Sequence, residues 1–344
     1  MQLSRRSHRE WRIFFWVSLA AAAISAWFGY AVRTPNSSGV HAALTGVATS
    51  LIIATPLVLF VLKGDRLAVV RRLRRLPLAV YFLIRVVFYL VVILGGLAVA
   101  RVLFFPAEAG PFAFDSVFRR SIAFSVIMSV GANMVVDVGR LLGFGTLRKL
   151  LTGRYVQPKR EQRAFLLIDM KNSTGLAEQL GALRFHELLN DFFRDVADAA
   201  LECDAEIHKY VGDEAILTWP ADRSLADADC LACPFLVRQL IDANRDRYLG
   251  RFGAVPQFRA AAHYGEIVGG EIGDVRREIA YVGDTLNTAA RLLEASKEVG
   301  RDVLVSTELL EHARLPEDLK AEKLPTLNIR GRAAPLGVAA LSPA

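Results

Sequence analysis

"HKYVGDEAILTW", residues 208–219, holds two short apolar runs around a turn that carries more charge than a hairpin needs. Gly212 and one turn-former would close the hairpin; Lys209, Asp213 and Glu214 are surplus to that purpose. Upstream, "RAFLLIDM" (163–170) is a short apolar run ending in Asp169 and reads as a buried strand. Leu176, Leu180, Leu183, Leu188, Phe192 and Val196 then follow with helical spacing. "AEIHKY" and "EAILTW" are strands on either side of the turn, and 227–248 reads as a helix in spite of Pro234. "QFRAAAHYGEIVGGEIG" (257–273) reads as two strands, 284–300 as a helix and "DVLVS" (302–306) as a strand. The order β-α-β-β-α-β is that of an α+β, ferredoxin-like split βαβ fold, here with extra elements at the C-terminal end.

That topology sets the third strand beside the first. The end of strand one and the turn after strand two then share one edge, so Asp169 and Asp213 meet although 44 positions separate them. Two carboxylates at one edge repel unless a cation lies between them. Hard divalent ions held by carboxylates are the usual solution, and Mg²⁺ typically brings a phosphate substrate with it.

The 344 residues are 53% hydrophobic, and the excess sits before about residue 145. Stretches 11–32, 40–62, 78–105 and 116–139 are each long enough to cross a bilayer, which takes ~20 residues as helix. Arg5, Arg6, Arg9 and Arg12 precede the first span; Lys63, Arg66, Arg71, Arg72, Arg74 and Arg75 lie between the second and third. The other two loops, 33–39 and 105–115, are nearly free of basic residues. Lys/Arg-rich loops stay in the cytoplasm. The expectation is a multi-pass inner or plasma membrane protein with the N-terminus and the C-terminal half inside. The first apolar run is longer than that of a usual cleaved signal. The net charge of +7 borders the membrane and its lipid, so it implies no nucleic acid polymer. Arg85, Arg101, Arg119 and Arg120 lie near span ends, where snorkelling is the plain reading; Asp137 reads as structural or interfacial. Cys203, Cys230 and Cys233 read as small buried hydrophobes. The expected domains are 1–139 (four-span transmembrane), 140–160 (linker with a short amphipathic helix) and 161–344 (cytoplasmic domain).

Four patterns in order carry a family resemblance: "FLLIDMKNSTGLAE" (165–178), "KYVGDEAILTW" (209–219), "GEIVGGEIG" (265–273) and "YVGDTLNTAARL" (281–292). Residues from about 160 to 313 resemble the catalytic domain of a class III nucleotidyl cyclase, most like the bacterial adenylate cyclases. The resemblance implies a reaction that turns ATP into cyclic AMP and pyrophosphate, with Asp169 and Asp213 holding two Mg²⁺ or Mn²⁺ ions. It places the Met170 carbonyl and the amides of Asn172, Ser173 and Thr174 near metal and phosphate. Lys209 would read the adenine ring, since an ammonium only donates and suits the N1 acceptor. Asn287 and Arg291, four apart on a helix and so on one face, would match the pair that holds the ribose and the transition-state charge. The family builds each site from two chains, which implies a homodimer.

Two departures bear on this. Ala280 stands where the family has an acceptor for the adenine amino group. Glu278, two positions earlier on the same strand face, or a backbone carbonyl, could replace it. Asn172 and Ser173 stand where glycine and phenylalanine are frequent. The alternatives are a guanylate cyclase on the same fold and a catalytically silent membrane sensor or scaffold. "VGDEA" is superficially like a diguanylate cyclase turn, but the "NTAAR" segment and Lys209 fit nucleotidyl cyclisation better.

Overall fold

The computed structural model describes residues 4–32, 38–63, 67–73, 76–104, 116–221, 229–275, 277–328 and 334–344. Most of the two loops expected outside (33–37 and 105–115) and Arg66, Arg74 and Arg75 lie outside the described residues. The chain divides into two compact units, 1–141 and 142–344.

In the first unit, α1 (Ser4–Ala31), α2 (Gly39–Lys63), α4 (Leu78–Phe104) and α5 (Ser116–Leu142) are long, and the short α3 spans Ala68–Leu73. Each of the four long helices contains a stretch long and apolar enough to cross a membrane: 14–31, 39–61, 79–104 and 118–139. A small cluster of Ile53, Ile93, Leu97 and Phe118 joins α2, α4 and α5. Arg85 does not snorkel. It is buried, its Nη1 donates to Asp137 Oδ1 at 2.6 Å, and its Nη2 donates to Asn133 Oδ1 and to the Tyr89 hydroxyl. A guanidinium among apolar helices has to find partners within the protein, and α5 supplies two of them.

The second unit opens with α6 (Phe144–Leu151) and then builds one mixed sheet. Its elements are β1 (Lys159–Met170), α7 (Ser173–Leu180), α8 (Ala182–Glu202), β2 (Glu206–Val211), β3 (Glu214–Pro220), α9 (Asp229–Ala243), α10 (Arg245–Phe252), β4 (Phe258–Ile272), β5 (Glu278–Val282), α11 (Asp284–Val299), β6 (Val303–Ser306), α12 (Thr307–His312), β7 (Leu319–Leu327) and β8 (Leu336–Pro343). The strand order is β2-β3-β1-β4-β6-β8-β7, with β5 paired to β4. β3 does lie antiparallel beside β1, as the split arrangement requires.

β1 packs both faces. Ala164, Leu166, Ile168 and Met170 join α8 and α9 in one core; Phe165 and Leu167 join α11 in the other. The three cysteines are free and buried, all in the first core.

Three details differ from the sequence expectation. The helix after β1 is two helices, broken at Gly181, whose φ of 74° belongs to the left-handed region. The helix expected over 227–248 is likewise divided into α9 and α10 at Asn244. The stretch expected as two strands is one continuous strand, β4. Its glycines make room rather than turns: a Cβ at Gly269 would come within 2.7 Å of the Tyr155 ring.

At the β1 end remote from Asp169 lies a buried polar cluster. Arg163, 1% exposed, donates through Nη2 to Glu206 at 2.5 Å and through Nε to Thr218 at 3.0 Å. Lys149 of α6 donates to the same Glu206 carboxylate at 2.6 Å and to the Tyr281 hydroxyl at 2.9 Å. Burial alone would push the Glu206 carboxyl up, but Arg163 and Lys149 outweigh it and hold it below its ordinary value. Removing one member of such a buried set leaves an unpaired charge, which costs roughly 3–5 kcal/mol. Glu206→Leu is therefore expected to lower the melting temperature of the full chain in detergent far more than Glu206→Gln, which keeps the acceptor oxygen. Equal melting of the two variants and wild type would show that the cluster does not hold these strands.

Candidate active site

Asp169 and Glu214 are opposite each other in the β1–β3 register, and Asp213 sits in the two-residue turn before Glu214. The Met170 amide donates to the Asp213 carbonyl at 3.4 Å, which pins the turn against the end of β1. The Asp169 and Asp213 side chains are close enough for the Asp213 charge to act on Asp169. Burial and then the Asp213 charge push the Asp169 carboxyl above its ordinary value. Burial, with Asp169 and Asp213 beside it, pushes Glu214 up to about 7. A nearby cation is Lys297 of α11, 3.9 Å from Asp169 Oδ2, with its side chain 56% exposed; the charge of Arg259 also acts on Asp169.

Among the described residues there is no group of three or more His, Cys, Asp or Glu side chains placed to hold a metal ion. Two neighbouring carboxylates still fit a hard dication. Mg²⁺ is commonly bound through one or two carboxylates plus substrate phosphates and water. Met170, next to Asp169, is buried. Beyond it, α7 begins at Ser173. Asn172 takes a left-handed backbone at φ 54° and makes no side-chain cap. Asn172 and Thr174 are exposed and Ser173 is half-buried, so this turn borders the carboxylate edge without being sealed from it.

Lys209 lies at the outer end of β2, and its Nζ is 3.4 Å from Glu278 of β5. On β5, Ile279 and Tyr281 face the second core; Glu278 and Ala280 alternate to the other face. Asn287 and Arg291 both lie on α11, with Asn287 exposed. Arg291 is half-buried, and its Nη1 is buried without a hydrogen-bond partner. A buried guanidinium donor left open suits an anion.

The structure thus brings Asp169 together with Asp213, and Lys209 together with Glu278. It sets Arg291 six residues before Lys297 on α11, about 9 Å along the axis, and Asn287 about 15 Å along it. Sequence reasoning missed Glu214 and Lys297 as neighbours of the carboxylate pair. The alternation of β3 could have flagged Glu214. Nothing local could have flagged Lys297, which reaches Asp169 only through the packing of α11 on the sheet.

Residues 156–338 match the family model of the adenylate and guanylate cyclase catalytic domain. The chain belongs to that family. An adenylate cyclase of Rhizobium meliloti, adenylate cyclase 2, is 44% identical over 208 residues, which is 60% of this chain and 57% of that one. An adenylate cyclase of Anabaena cylindrica is 27% identical over 44% of this chain and 31% of its own length. The chain therefore spans roughly a third to just over half of these relatives. A bacterial light-regulated adenylyl cyclase superposes with a TM-score of 0.54 at 14% identity, covering 66% of this chain and 65% of that one. At that identity the likeness is one of fold. The cyclase domain here is the α+β sheet of the second unit, preceded by four apolar helices.

His208, beside Lys209, gives this region a pH signature. Its ring centroid lies 4.8 Å from that of Tyr281, with the two planes tilted by 46°. Burial first, then Lys209, Lys149 and Arg163, push its pKa down to about 4 from 6.5. Between those values the unfolded chain binds a proton that the folded chain refuses. This group's contribution to stability is therefore complete above about pH 6.5 and lost as pH falls toward 4. The melting temperature of wild type minus that of His208→Gln is expected to fall steadily over that window. A difference that does not vary with pH would mean that His208 is not held neutral.

Proposed function

We propose that this chain is a membrane-anchored adenylate cyclase that converts ATP to 3′,5′-cyclic AMP and pyrophosphate. The observation that carries the reading is the half-buried Asp169–Asp213 pair, brought to one sheet edge by the β1–β3 pairing. When bound there, two Mg²⁺ or Mn²⁺ ions would lower the pKa of the ribose 3′-hydroxyl and neutralise the triphosphate. Asp169 and Asp213 hold the carboxylate side of that arrangement, with the Met170 carbonyl beside them. Asn172, Ser173 and Thr174 border the phosphates at the start of α7. Lys209 donates to adenine N1, at the end of the pocket where Ala280 lies. Asn287 orients the ribose. Arg291 supplies its open donor to the charge that builds on the α-phosphorus, a contribution worth roughly 3–4 kcal/mol at such sites.

The site is composite. Within one chain, α11 presents Lys297 to the carboxylate pair and sets Asn287 and Arg291 one and a half to three turns away. A homodimer brings the Asn287–Arg291 face of one chain to the carboxylates of its partner. The orientation follows from charge: the basic segments 5–12 and 63–75 face the cytoplasm, as does the cyclase domain. A guanylate cyclase is the second reading, because Ala280 provides no side-chain acceptor for the adenine amino group.

The test is product formation by the full chain in membranes with Mn²⁺, given ATP or GTP separately. Cyclic AMP from ATP is expected, with Asp213→Ala at background and Arg291→Ala down roughly 10²–10³-fold. No cyclic product from either nucleotide, or undiminished product from Asp213→Ala, would sink the reading; cyclic GMP alone would move it to the guanylate cyclase. Co-expressing Asp213→Ala with Arg291→Ala is expected to restore activity, because a mixed dimer contains one intact site. Failure of the mixture, with each variant folded, would exclude a site shared between two chains.

A further inference from the structure

Lys209 and Glu278 come from different strands, β2 and β5, and satisfy each other at 3.4 Å with both side chains about half exposed. An exposed pair with that geometry contributes at most about 1 kcal/mol to stability, so the fold has little need of it. Its place is the more telling fact. It lies where Lys209 is to meet the purine, and Glu278 shares a strand face with Ala280, whose methyl can accept nothing.

We infer that Glu278 is the specificity-determining residue for the base, accepting the adenine 6-amino hydrogen in place of a side chain at position 280. The inference rests on the adenylate cyclase reading and deepens it. The ammonium and the carboxylate lie side by side, as the acceptor N1 and the donor N6 do on the edge of adenine. The base enters between them, and each partner exchanges the other for a hydrogen bond to the ring. Guanine presents the reverse order, an N1–H donor and an O6 acceptor. With Lys209 at N1 it would set donor against donor and acceptor against acceptor. Donors and acceptors left mismatched once the base covers them are what give hydrogen-bonding sites their discrimination.

A purely structural ion pair would tolerate exchange of its two charges; a base reader would not. Affinities for ATP and GTP are measured on the full chain in membranes, by competition with a fluorescent nucleotide in the presence of Ca²⁺ in place of Mn²⁺, alongside kcat/KM with Mn²⁺. Glu278→Ala is expected to weaken ATP binding roughly 10- to 100-fold and GTP binding little, so that the ATP:GTP preference collapses. A backbone carbonyl acting as the acceptor would be untouched by this change. The exchange Lys209→Glu with Glu278→Lys keeps the pair and reverses its order, and is expected to turn the preference to GTP. A preference within about twofold of wild type in Glu278→Ala, or an unaltered ATP preference in the exchanged pair, overturns the inference. Wild type that binds ATP selectively but forms no cyclic AMP overturns the activity alone. Wild type that binds neither nucleotide, or binds both equally, overturns the role of Glu278.

Discussion

The antiparallel pairing of β1 with β3 is the constraint on which the rest of the cyclase domain depends. Its register sets Asp169 opposite Glu214 and Leu167 opposite Ile216. Ala215, Leu217 and Trp219 thereby face the first core and Ile216 the second. A slip of one residue would send each of these side chains to the other face. Trp219, whose indole N–H donates to the Cys203 carbonyl at 2.8 Å, would be the largest loss. The same slip would carry the 212–213 turn away from the end of β1. Packing that has nothing to do with chemistry therefore determines where the two carboxylates meet.

The two ends of β1 have opposite electrostatic characters. At Arg163 the charges are closed on themselves: Glu206 takes Lys149 and Arg163, and Glu161 takes Arg154, Arg163 and the Tyr155 hydroxyl. Six residues on, about 20 Å along the strand, Asp169, Asp213 and Glu214 crowd together with the exposed Lys297 for relief. The first end is satisfied and stabilising. At the second, acid side chains lie close together and half-buried, and burial with their mutual charge pushes Asp169 and Glu214 above their ordinary values.

Much of this was legible in the sequence because it depends on local period and order. The strands of 163–170, 206–219 and 302–306 follow from short apolar runs. The meeting of Asp169 with Asp213 follows from the order of elements alone. The four membrane-length helices follow from length and composition. What could not be read required contacts between distant segments. Glycines at 265, 269 and 270 look like turn-formers, but at Gly269 and Gly270 they yield to Tyr155 and Pro158, residues of the segment that reads as a linker. Arg85 looks like a snorkelling residue until Asp137 and Asn133, about fifty positions away, are placed beside it. Lys297 and Lys149 have no local signal at all, since a lysine on a helix is most often a solvated one.

Lys149 shows what this means for the segment between the apolar helices and the sheet. α5 ends at Leu142 and α6 begins at Phe144, so a single residue separates the helix that holds Asp137 from the helix that holds Lys149. The Lys149 ammonium is buried and shared between Glu206 and Tyr281. Glu206 lies three residues before Lys209 on β2, and Tyr281 three residues after Glu278 on β5. The strands that carry Lys209 and Glu278 thus share one buried ammonium, although the pairing of β2 shifts register between Ile207 and Lys209. Withdrawing that ammonium would leave Glu206 to Arg163 and Tyr281 without its charged donor, and the two strands would lose a contact they share. The segment that reads from sequence as a joint is therefore tied into the sheet through Lys149.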